Sequence, residues 1–298
     1  MASNGISTLT YKRDRQVAKL NLAADNRNTS GRNRFFDLDQ LPSTYADSDN
    51  STANRIVNNS STLGRPWASA SGIVTGNLVM SLDAAVAFSG VTWSDISGNS
   101  RNATLVNGPT YVATDGGAIT LDGSDDYIRS PNLYSAIGDP DTFSAGAWVR
   151  PTAPGVVLQV TNTTTPATAY HFSAMEFVES AGNPIPYFGL WNGTGITSDS
   201  GTALSYNTWY HMMITYNGST FKGYINGSEV ASGSVTYDSP HDDGQSAHYL
   251  LWGPGTITNM GDGSYYNGSM GEIRVYSSAV SATDVLNNYN ETKSRYGF

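Results

Sequence analysis

The chain is notable first for what it lacks. None of its 298 residues is cysteine, which excludes a disulfide framework, a thiolate metal site and a cysteine nucleophile. Charged residues make up 14% of the sequence, against about a quarter in an average protein, which argues against a disordered chain or a charge-rich helix bundle. No apolar run reaches the roughly 18 residues that a membrane-spanning helix needs, and the opening MASNGISTLT lacks the apolar core of a signal peptide. We therefore expect a soluble protein that has no membrane partner.

Charge is distributed unevenly along the chain. Residues 1–70 hold nine lysines and arginines and six aspartates, whereas residues 71–298 hold seven basic and 19 acidic residues. An acidic body repels nucleic-acid phosphates, and the basic stripe that neutralises a phosphate backbone is missing. We therefore expect no nucleic-acid partner. The weakly basic first segment is either a contact for an acidic protein surface or a solvated segment.

The first 70 residues are predicted to form an anchoring arm. Residues 7–25 are predicted to be a helix, because Ser7 or Thr8 can cap it and strong helix formers follow. Its narrow apolar stripe means that it must dock on a partner. The polar stretch that follows carries isolated apolar residues, typical of an extended arm; a disordered linker is the alternative. The predicted anchoring residues are Leu9, Val17, Leu20, Phe35, Phe36, Leu41, Tyr45 and Trp67.

From about residue 73 the pattern changes to that of strands. Short apolar runs alternate with five Asn-Gly and four Asp-Gly dipeptides, which supply the positive-φ positions of tight hairpin turns. We therefore predict an all-β fold over residues 71–298, a two-sheet antiparallel jelly-roll sandwich. Ser281 and Asp284 indicate the capped start of a short C-terminal helix. The side chains expected to be buried are Trp148, Trp209, Ile214, Phe221, Ile225, Ile273 and Val275.

Five motifs in register carry a family resemblance. They are Leu121–Ile128 (LDGSDDYI), Thr142–Pro151 (TFSAGAWVRP), Thr208–Gly218 (TWYHMMITYNG), Phe221–Gly227 (FKGYING) and Tyr266–Ser281 (YNGSMGEIRVYSSAVS). In this order they resemble the concanavalin A-like, laminin-G-like jelly roll of lectins, pentraxins and many phage and bacterial surface proteins, over residues 73–291. The resemblance implies two curved antiparallel sheets of six or seven strands. It implies little about function, because such sandwiches serve in adhesion, glycan binding, hydrolysis and scaffolding.

The first segment carries a second resemblance. Ile6–Leu9, Arg15–Leu20, Asp39–Pro42 and Gly64–Trp67 resemble the opening segments of structural proteins from marine tailed phages, especially cyanophages. That resemblance implies a virion protein whose arm docks on capsid, neck or tail proteins. The jelly roll would then face outward on the particle surface. It also implies a homo-oligomer in the particle and a possible host-glycan contact.

Motifs for catalysis are missing. A glycosidase needs two carboxylates on one face about 5–10 Å apart. The best candidates, Glu176 and Glu179, are three residues apart, so on a regular strand they face opposite sides. Nucleophile-elbow, dinucleotide, Walker and zinc-protease motifs do not occur. We therefore predict that the protein is not an enzyme, with a glycan hydrolase kept as the second alternative.

One acidic turn is a candidate calcium site. Asp122, Asp125 and Asp126 cluster around a glycine, and hard cations bind several carboxylate and carbonyl oxygens. Laminin-G-like sandwiches often hold one calcium near their rim, but the resemblance departs where Gly271 stands in place of an acidic residue before Glu272. A second acidic loop holds Asp238, Asp242 and Asp243. The alternative for both loops is that the aspartates cap their own backbone.

Aromatic residues beside turns are the candidate glycan contacts. They are Tyr187, Trp191, Trp252, Tyr265 and Tyr266, and packing inside the protein is the alternative for each. Three hypotheses follow: a virion structural protein (a decoration, fibre or neck component) that displays a lectin-like jelly roll, a stand-alone lectin-like module, and a glycan hydrolase. We favour the first.

Overall fold

The described part of the chain falls into two units. In a computed structural model of the protein, the described residues are 5–12, 17–23, 34–36, 72–86, 90–137, 142–166, 171–190, 196–236, 247–255 and 264–298. Met1–Ser71 form one unit and Gly72–Phe298 form the other.

The first unit contains an antiparallel sheet instead of the predicted helix. Strands β1 (Gly5–Lys12), β2 (Val17–Ala23) and β3 (Arg34–Phe36) pair in that order. The prediction of a helix over 7–25 is therefore wrong. Ile6, Thr8 and Thr10 are β-branched and alternate along β1, which favours a strand. The helix propensity of the neighbouring residues is a weak preference that strand pairing overrides.

The predicted anchoring residues lie in this first unit. Five of them, Leu9, Val17, Leu20, Phe35 and Phe36, occupy positions on the three strands. The other three are outside the described residues: Leu41, Tyr45 and Trp67.

The second unit is built mainly of short strands. In chain order they are β4 (Leu78–Asp83), β5 (Thr92–Trp93), β6 (Ala103–Val106), β7 (Thr110–Val112), β8 (Ala118–Asp122), β9 (Tyr127–Arg129), β10 (Phe143–Pro151), β11 (Gly155–Thr161), β12 (His171–Ser180), β13 (Asn183–Leu190), β14 (Ile196–Asp199), β15 (Tyr210–Tyr216), β16 (Thr220–Ile225), β17 (Ser228–Ser234), β18 (Tyr249–Trp252) and β19 (Asn267–Tyr276). The helices are α1 (Tyr134–Ile137) and α2 (Ala282–Thr292), with 3-10 turns at Thr114–Gly116 and Lys293–Tyr296.

These strands form two antiparallel sheets. The back sheet has the order β17-β16-β15-β10-β19-β8-β7, with β4 also paired to β19, and the front sheet has the order β14-β13-β12-β11-β18-β9-β6-β5. The predicted all-β sandwich is confirmed. Each sheet has eight strands where the resemblance implied six or seven, because very short edge strands such as β5 and β7 add to the sheet.

The main hydrophobic core lies between the sheets. Side chains alternate along a strand, so one face of each sheet points inward; in β10, Phe143, Ala145, Ala147 and Val149 all join this core, as their spacing predicts. All seven side chains expected to be buried are buried. Trp148 and Trp209, however, form a separate cluster with Tyr296 on the other side of the back sheet.

The C-terminal segment covers that outer side of the back sheet. The predicted capping box is present, since Ser281 and Asp284 each accept the other's backbone N–H. Trp148 Nε1 donates to Thr292 Oγ1 at 2.8 Å, and its ring stacks on Tyr296 with centroids 4.1 Å apart. The outer face of the back sheet is therefore occupied by the protein's own tail.

Among the described residues, no helix has the length and apolar character to cross a membrane.

Candidate ligand-binding face

The outer face of the front sheet carries a row of side chains that are direct cross-strand partners. Gln159 on β11 pairs with Ser173 on β12 and with Leu251 on β18, and the row continues through Arg129 on β9 to Thr104 on β6. Leu158 and Val160 point into the core, so Gln159 between them points outward. We call these five residues the front row.

The front row is buried at one end and partly exposed at the other. Ser173, Gln159 and Leu251 have exposures of 2%, 0% and 0%, whereas Arg129 and Thr104 are partly exposed. The front row is therefore accessible to solvent at the Arg129 end and closed at the Gln159 end.

Two members of the front row have unused hydrogen-bonding capacity. Both amide atoms of Gln159, Oε1 and Nε2, and the hydroxyl oxygen of Ser173 are buried without a hydrogen-bond partner in the described structure. More than nine in ten buried polar groups are normally bonded, and an unbonded one costs about 1–3 kcal/mol. The amide offers a donor and an acceptor side by side, beside a hydroxyl that can serve as either. Such a set is suited to a ligand rich in hydroxyl groups.

A second outward pair lies one step along the same face. Glu176 on β12 is fully buried and pairs directly with Tyr187 on β13, which is partly exposed. Met175 and Phe177 on either side of Glu176 belong to the core, so the carboxylate points outward. This face therefore combines buried polar groups with an aromatic ring.

The acidic turn between β8 and β9 has a geometry that fits both a calcium site and a turn whose aspartates cap their own backbone. One carboxylate oxygen from each of Asp122, Asp125 and Asp126 lies within 4.8 Å of the others. At the same time, Asp122 Oδ1 accepts the backbone N–H of Ser124 at 2.8 Å, and Asp126 Oδ2 accepts that of Asp122 at 3.1 Å. Each of these two carboxylates keeps a second oxygen for a cation.

Hydrogen bonds within the turn and burial shift the pKa values of its carboxyl groups in opposite directions. The backbone N–H of Ser124 lowers the pKa of Asp122, whereas desolvation raises the pKa of Asp126. A divalent cation would favour the charged form of all three groups. The second acidic loop, with Asp238, Asp242 and Asp243, lies outside the described residues.

The architecture and the sequence of the second unit match one family. A model of the concanavalin A-like lectin/glucanases superfamily matches residues 122–286, more than half of the chain. The protein belongs to this superfamily. Its membership confirms the family resemblance of the jelly roll. A search of curated protein sequences finds no significant match.

Several solved structures are similar to this superfamily member. Domain 4 of AbnA, a GH43 extracellular arabinanase from Geobacillus stearothermophilus in complex with arabinotriose, has 19% identity and a TM-score of 0.51, over 72% of this chain and 98% of that one. A mutant Trypanosoma rangeli sialidase with trans-sialidase activity has 14% identity and a TM-score of 0.51, over 76% of this chain and 34% of that one. A botulinum neurotoxin type C structure, whose cell entry depends on two ganglioside molecules, has 12% identity and a TM-score of 0.50, over 72% and 51%. At these identities the likeness concerns the fold alone.

Glu176 and Glu179, the two candidate catalytic carboxylates of this superfamily member, do not share one face of the sheet. Glu176 and Glu179 lie on one regular stretch of β12, paired with Tyr187 and Pro184, and are three residues apart. They therefore face opposite sides of the front sheet, as the sequence predicted. Glu179 is exposed, and its Oε2 accepts a hydrogen bond from the Tyr206 hydroxyl at 3.4 Å.

Two of the five predicted aromatic contacts are corrected by the structure. Trp252 and Tyr266 have zero exposure and belong to the core. Trp252 pairs with the inward-facing Leu158, and the Tyr266 hydroxyl donates to the Ser269 carbonyl at 3.3 Å. They therefore present no ring face to a ligand.

The other three aromatic candidates are either partly exposed or outside the described residues. Tyr187 and Tyr265 are partly exposed, and Trp191 lies outside the described residues. Tyr249 was not predicted from the sequence; it pairs with Thr161 on β11 and is partly exposed on the same outward face. Its neighbour Leu250 points into the core, so the alternation of side chains in YLLW was the signal for Tyr249.

Asp95 is a further residue that sequence reasoning missed. Its Oδ1 accepts the backbone N–H groups of Ser81 and Ser97, both at 2.9 Å, and its Oδ2 accepts the N–H of Arg101 at 2.9 Å. The carboxylate thereby holds the loop before β6 against β4. Its role is structural, and Asp-x-Ser is a common signature of such side-chain-capped turns.

Proposed function

We propose that residues 72–298 form a carbohydrate-binding module that binds its ligand on the outer face of the front sheet. The observation that carries this proposal is the partly exposed set of outward-facing polar and aromatic side chains on this face, namely Thr104, Arg129, Tyr187 and Tyr249.

The aromatic residues around the front row support the same proposal. Tyr249 and Tyr265 are partly exposed, and so is Tyr187, which also packs against the main core. A flat ring beside hydrogen-bonding groups suits a sugar, which has an apolar ring face and a polar rim. The back sheet offers no equivalent surface in the described structure, because its tail covers Trp148 and Trp209.

We further propose that this module is displayed on the outer surface of a phage virion, as a decoration, fibre or neck component. Residues 1–70 would attach it to capsid, neck or tail proteins, with several copies assembling in the particle, and the ligand would be a host surface glycan. Two observations favour this role. Four opening segments resemble those of tailed-phage structural proteins, and the first 71 residues form a unit of their own.

A glycan array tests the binding function. The labelled full-length chain is expected to bind a defined set of glycans on the array. When the chain is incubated with those glycans in solution, they are expected to stay uncleaved. Absence of binding across a broad array would refute the carbohydrate proposal, while release of shorter products would favour the hydrolase alternative.

Incorporation into particles tests the virion role. The full-length chain and a version without residues 1–66 are supplied to assembling phage, and purified particles are probed for each. We expect the purified particles to contain the full-length chain and to lack the version without residues 1–66. Equal incorporation of both versions would refute the anchoring role, and absence of both would favour the stand-alone lectin-like module.

A further inference from the structure

We infer that Asn107 is a modification site, the preferred position of spontaneous deamidation among the described Asn-Gly pairs, and that the product weakens the contact between this residue and the acidic turn. The reaction needs only the chain and water. The backbone nitrogen of Gly108 bonds to Cγ of Asn107, the Cγ–Nδ2 bond breaks, and the amide nitrogen leaves as ammonia with the proton of the Gly108 nitrogen. Water then opens the cyclic imide to aspartate or isoaspartate.

An asparagine followed by glycine is the residue pair that suits this chemistry. Asparagine is a thermolabile residue, and glycine has no Cβ to hinder the approach of its nitrogen. Residues 71–298 contain five Asn-Gly pairs. Four of these asparagines belong to the described part of the chain, namely Asn107, Asn217, Asn226 and Asn267. The attack requires the carboxamide and the following peptide to rotate towards each other, so the pair that is held least firmly reacts first.

Two of the four carboxamides are held through their oxygen atoms. Asn226 Oδ1 accepts the backbone N–H of His211 at 2.9 Å. Asn217 Oδ1 accepts the backbone N–H groups of Ser219 at 3.1 Å and of Thr220 at 2.9 Å. Rotation of either carboxamide would break these hydrogen bonds, which slows the attack.

Asn267 is held at both ends of its carboxamide. Its Oδ1 accepts the hydroxyl of Thr152 at 2.6 Å, and its Nδ2 donates to the Asp122 carbonyl at 3.1 Å. The following residue, Gly268, is buried in the middle of the back sheet, where it pairs with strands on both sides. This peptide therefore has the least freedom to rotate.

Asn107 is held far less firmly. Among the four pairs it is the one in which both residues, Asn107 and Gly108, are exposed. Its Nδ2 donates to the Asp125 carbonyl at 2.8 Å, in an exposed hydrogen bond, and its Oδ1 accepts no hydrogen bond from any described residue. The pair connects β6 of the front sheet to β7 of the back sheet, so no strand ladder continues across it. One exposed hydrogen bond is therefore the main barrier to rotation.

Deamidation would reverse the contact that Asn107 makes with the acidic turn. An aspartate side chain accepts hydrogen bonds but has no N–H to donate, so an oxygen atom would face the Asp125 carbonyl in place of Nδ2 and the two would repel. The new carboxylate also adds a negative charge beside a turn that already holds Asp122, Asp125 and Asp126. Like charges at short range destabilise the arrangement. The product should therefore unfold at a lower temperature than the original chain.

Peptide mapping of the full-length protein tests the site. The folded chain is incubated at mildly alkaline pH, and mass spectrometry follows the conversion of each Asn-Gly pair from amide to acid. We expect Asn107 to convert at least about fivefold faster than Asn217, Asn226 or Asn267, because fewer hydrogen bonds must break. Equal or faster conversion of any of these three, or no conversion of Asn107, would overturn the inference.

The same chain in denaturant is the control for the role of the structure. Without the hydrogen bonds of the fold, the four pairs should convert at similar rates. A persistent excess at Asn107 in the unfolded chain would contradict the structural explanation, because the preference would then come from the local sequence.

Two glutamine variants identify the source of the acidic product. Asn107→Gln keeps an amide, but its longer side chain must close a larger ring, so the first acidic species seen by ion-exchange chromatography should almost disappear. Asn217→Gln is the matched control at the other exposed asparagine and should leave that species unchanged. Unaltered accumulation in Asn107→Gln would overturn the assignment.

Two aspartate variants test the consequence of the reaction. Asn107→Asp should lower the melting temperature relative to the wild type, because it loses the donor to Asp125 and adds a charge. Asn217→Asp is the control, since Asn217 uses its oxygen and an aspartate keeps those hydrogen bonds; its melting temperature should stay near that of the wild type. Equal melting temperatures for Asn107→Asp and the wild type would overturn the inferred effect on the acidic turn.

Discussion

The hydroxyl of Tyr296 lies directly over Gly271, so that a Cβ atom placed at residue 271 would approach the hydroxyl oxygen to 2.2 Å. Gly271 is the position where the family resemblance would have an acidic residue. The C-terminal tail occupies the space that a side chain on β19 would need. This departure from the family pattern therefore has a structural reason, namely the docking of the tail on the back sheet.

Gly271→Ala is expected to destabilise the protein by about 1–3 kcal/mol, because the buried Tyr296 ring cannot move aside without loss of packing. Thermal unfolding measures the effect. Gly76→Ala is the matched control, since a Cβ there has no atom within 4 Å, and its melting temperature should stay near that of the wild type. Equal melting temperatures for both variants would show that the tail adapts freely.

Loss of Arg295 should be among the most destabilising single changes. Its Nη1 contacts Asp83 at 2.5 Å and Glu272 at 3.0 Å, and all three side chains are at most 8% exposed. Arg295→Gln leaves the buried Asp83 carboxylate without its cation and leaves Glu272 with Arg274 alone, which costs about 3–5 kcal/mol. Denaturant unfolding gives the change in free energy.

The control for Arg295 is an exposed ion pair. Lys222 and Glu229 are 43% and 38% exposed at a distance of 2.8 Å, so Lys222→Gln should cost at most about 1 kcal/mol. Similar losses from the two substitutions would contradict the view that burial makes the Arg295 network important.

His211 should make stability depend on pH below the ordinary range of histidine. Burial, aided by the charge of Arg274, lowers the pKa of His211 from 6.5 to about 3. Between these values the unfolded chain binds a proton that the folded chain does not, so this contribution to stability is complete above pH 6.5 and is lost as the pH falls towards 3. The limiting slope is about 1.4 kcal/mol per pH unit.

His211→Phe isolates this contribution, because it keeps a ring beside Trp148, whose centroid is 5.5 Å away. Between pH 6.5 and 5, where few carboxylates titrate, the free energy of unfolding of the variant should decline less than that of the wild type. Parallel pH profiles would contradict the assignment of this slope to His211.

Calcium at the acidic turn remains a prediction. If the ion binds Asp122, Asp125 and Asp126, calcium at about a hundred times its dissociation constant should stabilise the fold by about 2.7 kcal/mol, and chelator should reverse the gain. Asp125→Asn should reduce the shift in melting temperature, whereas Asp115→Asn, at an aspartate in another turn, should retain it. Identical melting curves in calcium and in chelator would favour the alternative, in which the carboxylates only cap the turn.

The strand pattern of the second unit was predictable because it is local. Alternation along Phe143–Val149 requires only that one side of the strand meets a core, and Asn-Gly and Asp-Gly supply turns through their own backbone preferences. The capping box at Ser281 is equally local. The helix predicted over 7–25 failed because strand pairing with residues many positions away outweighs a weak propensity.

The candidate site was only partly predictable. Tyr187 and Tyr265 were found from their places beside turns, but Trp252 and Tyr266 share that signal and are buried. The front row was missed, since it depends on which residues of different strands become neighbours. Two register shifts, between Val156 and Leu158 and between Leu158 and Gln159, set the pairing of β11 with β12, and a further shift of one residue would turn Gln159 inward.

The sequence by itself determined the fold class, the turns, the C-terminal cap and the opposite orientation of Glu176 and Glu179, because each of these follows from neighbours in the chain. Only the tertiary structure decided which face of each sheet is covered. Trp148 points away from the main core, yet it is buried by Tyr296, which lies far along the chain. Gln159 points away from the core in the same way, but no described residue completes its hydrogen bonds. The difference arises because burial and hydrogen-bond pairing are set by contacts between distant segments, which strand periodicity does not encode.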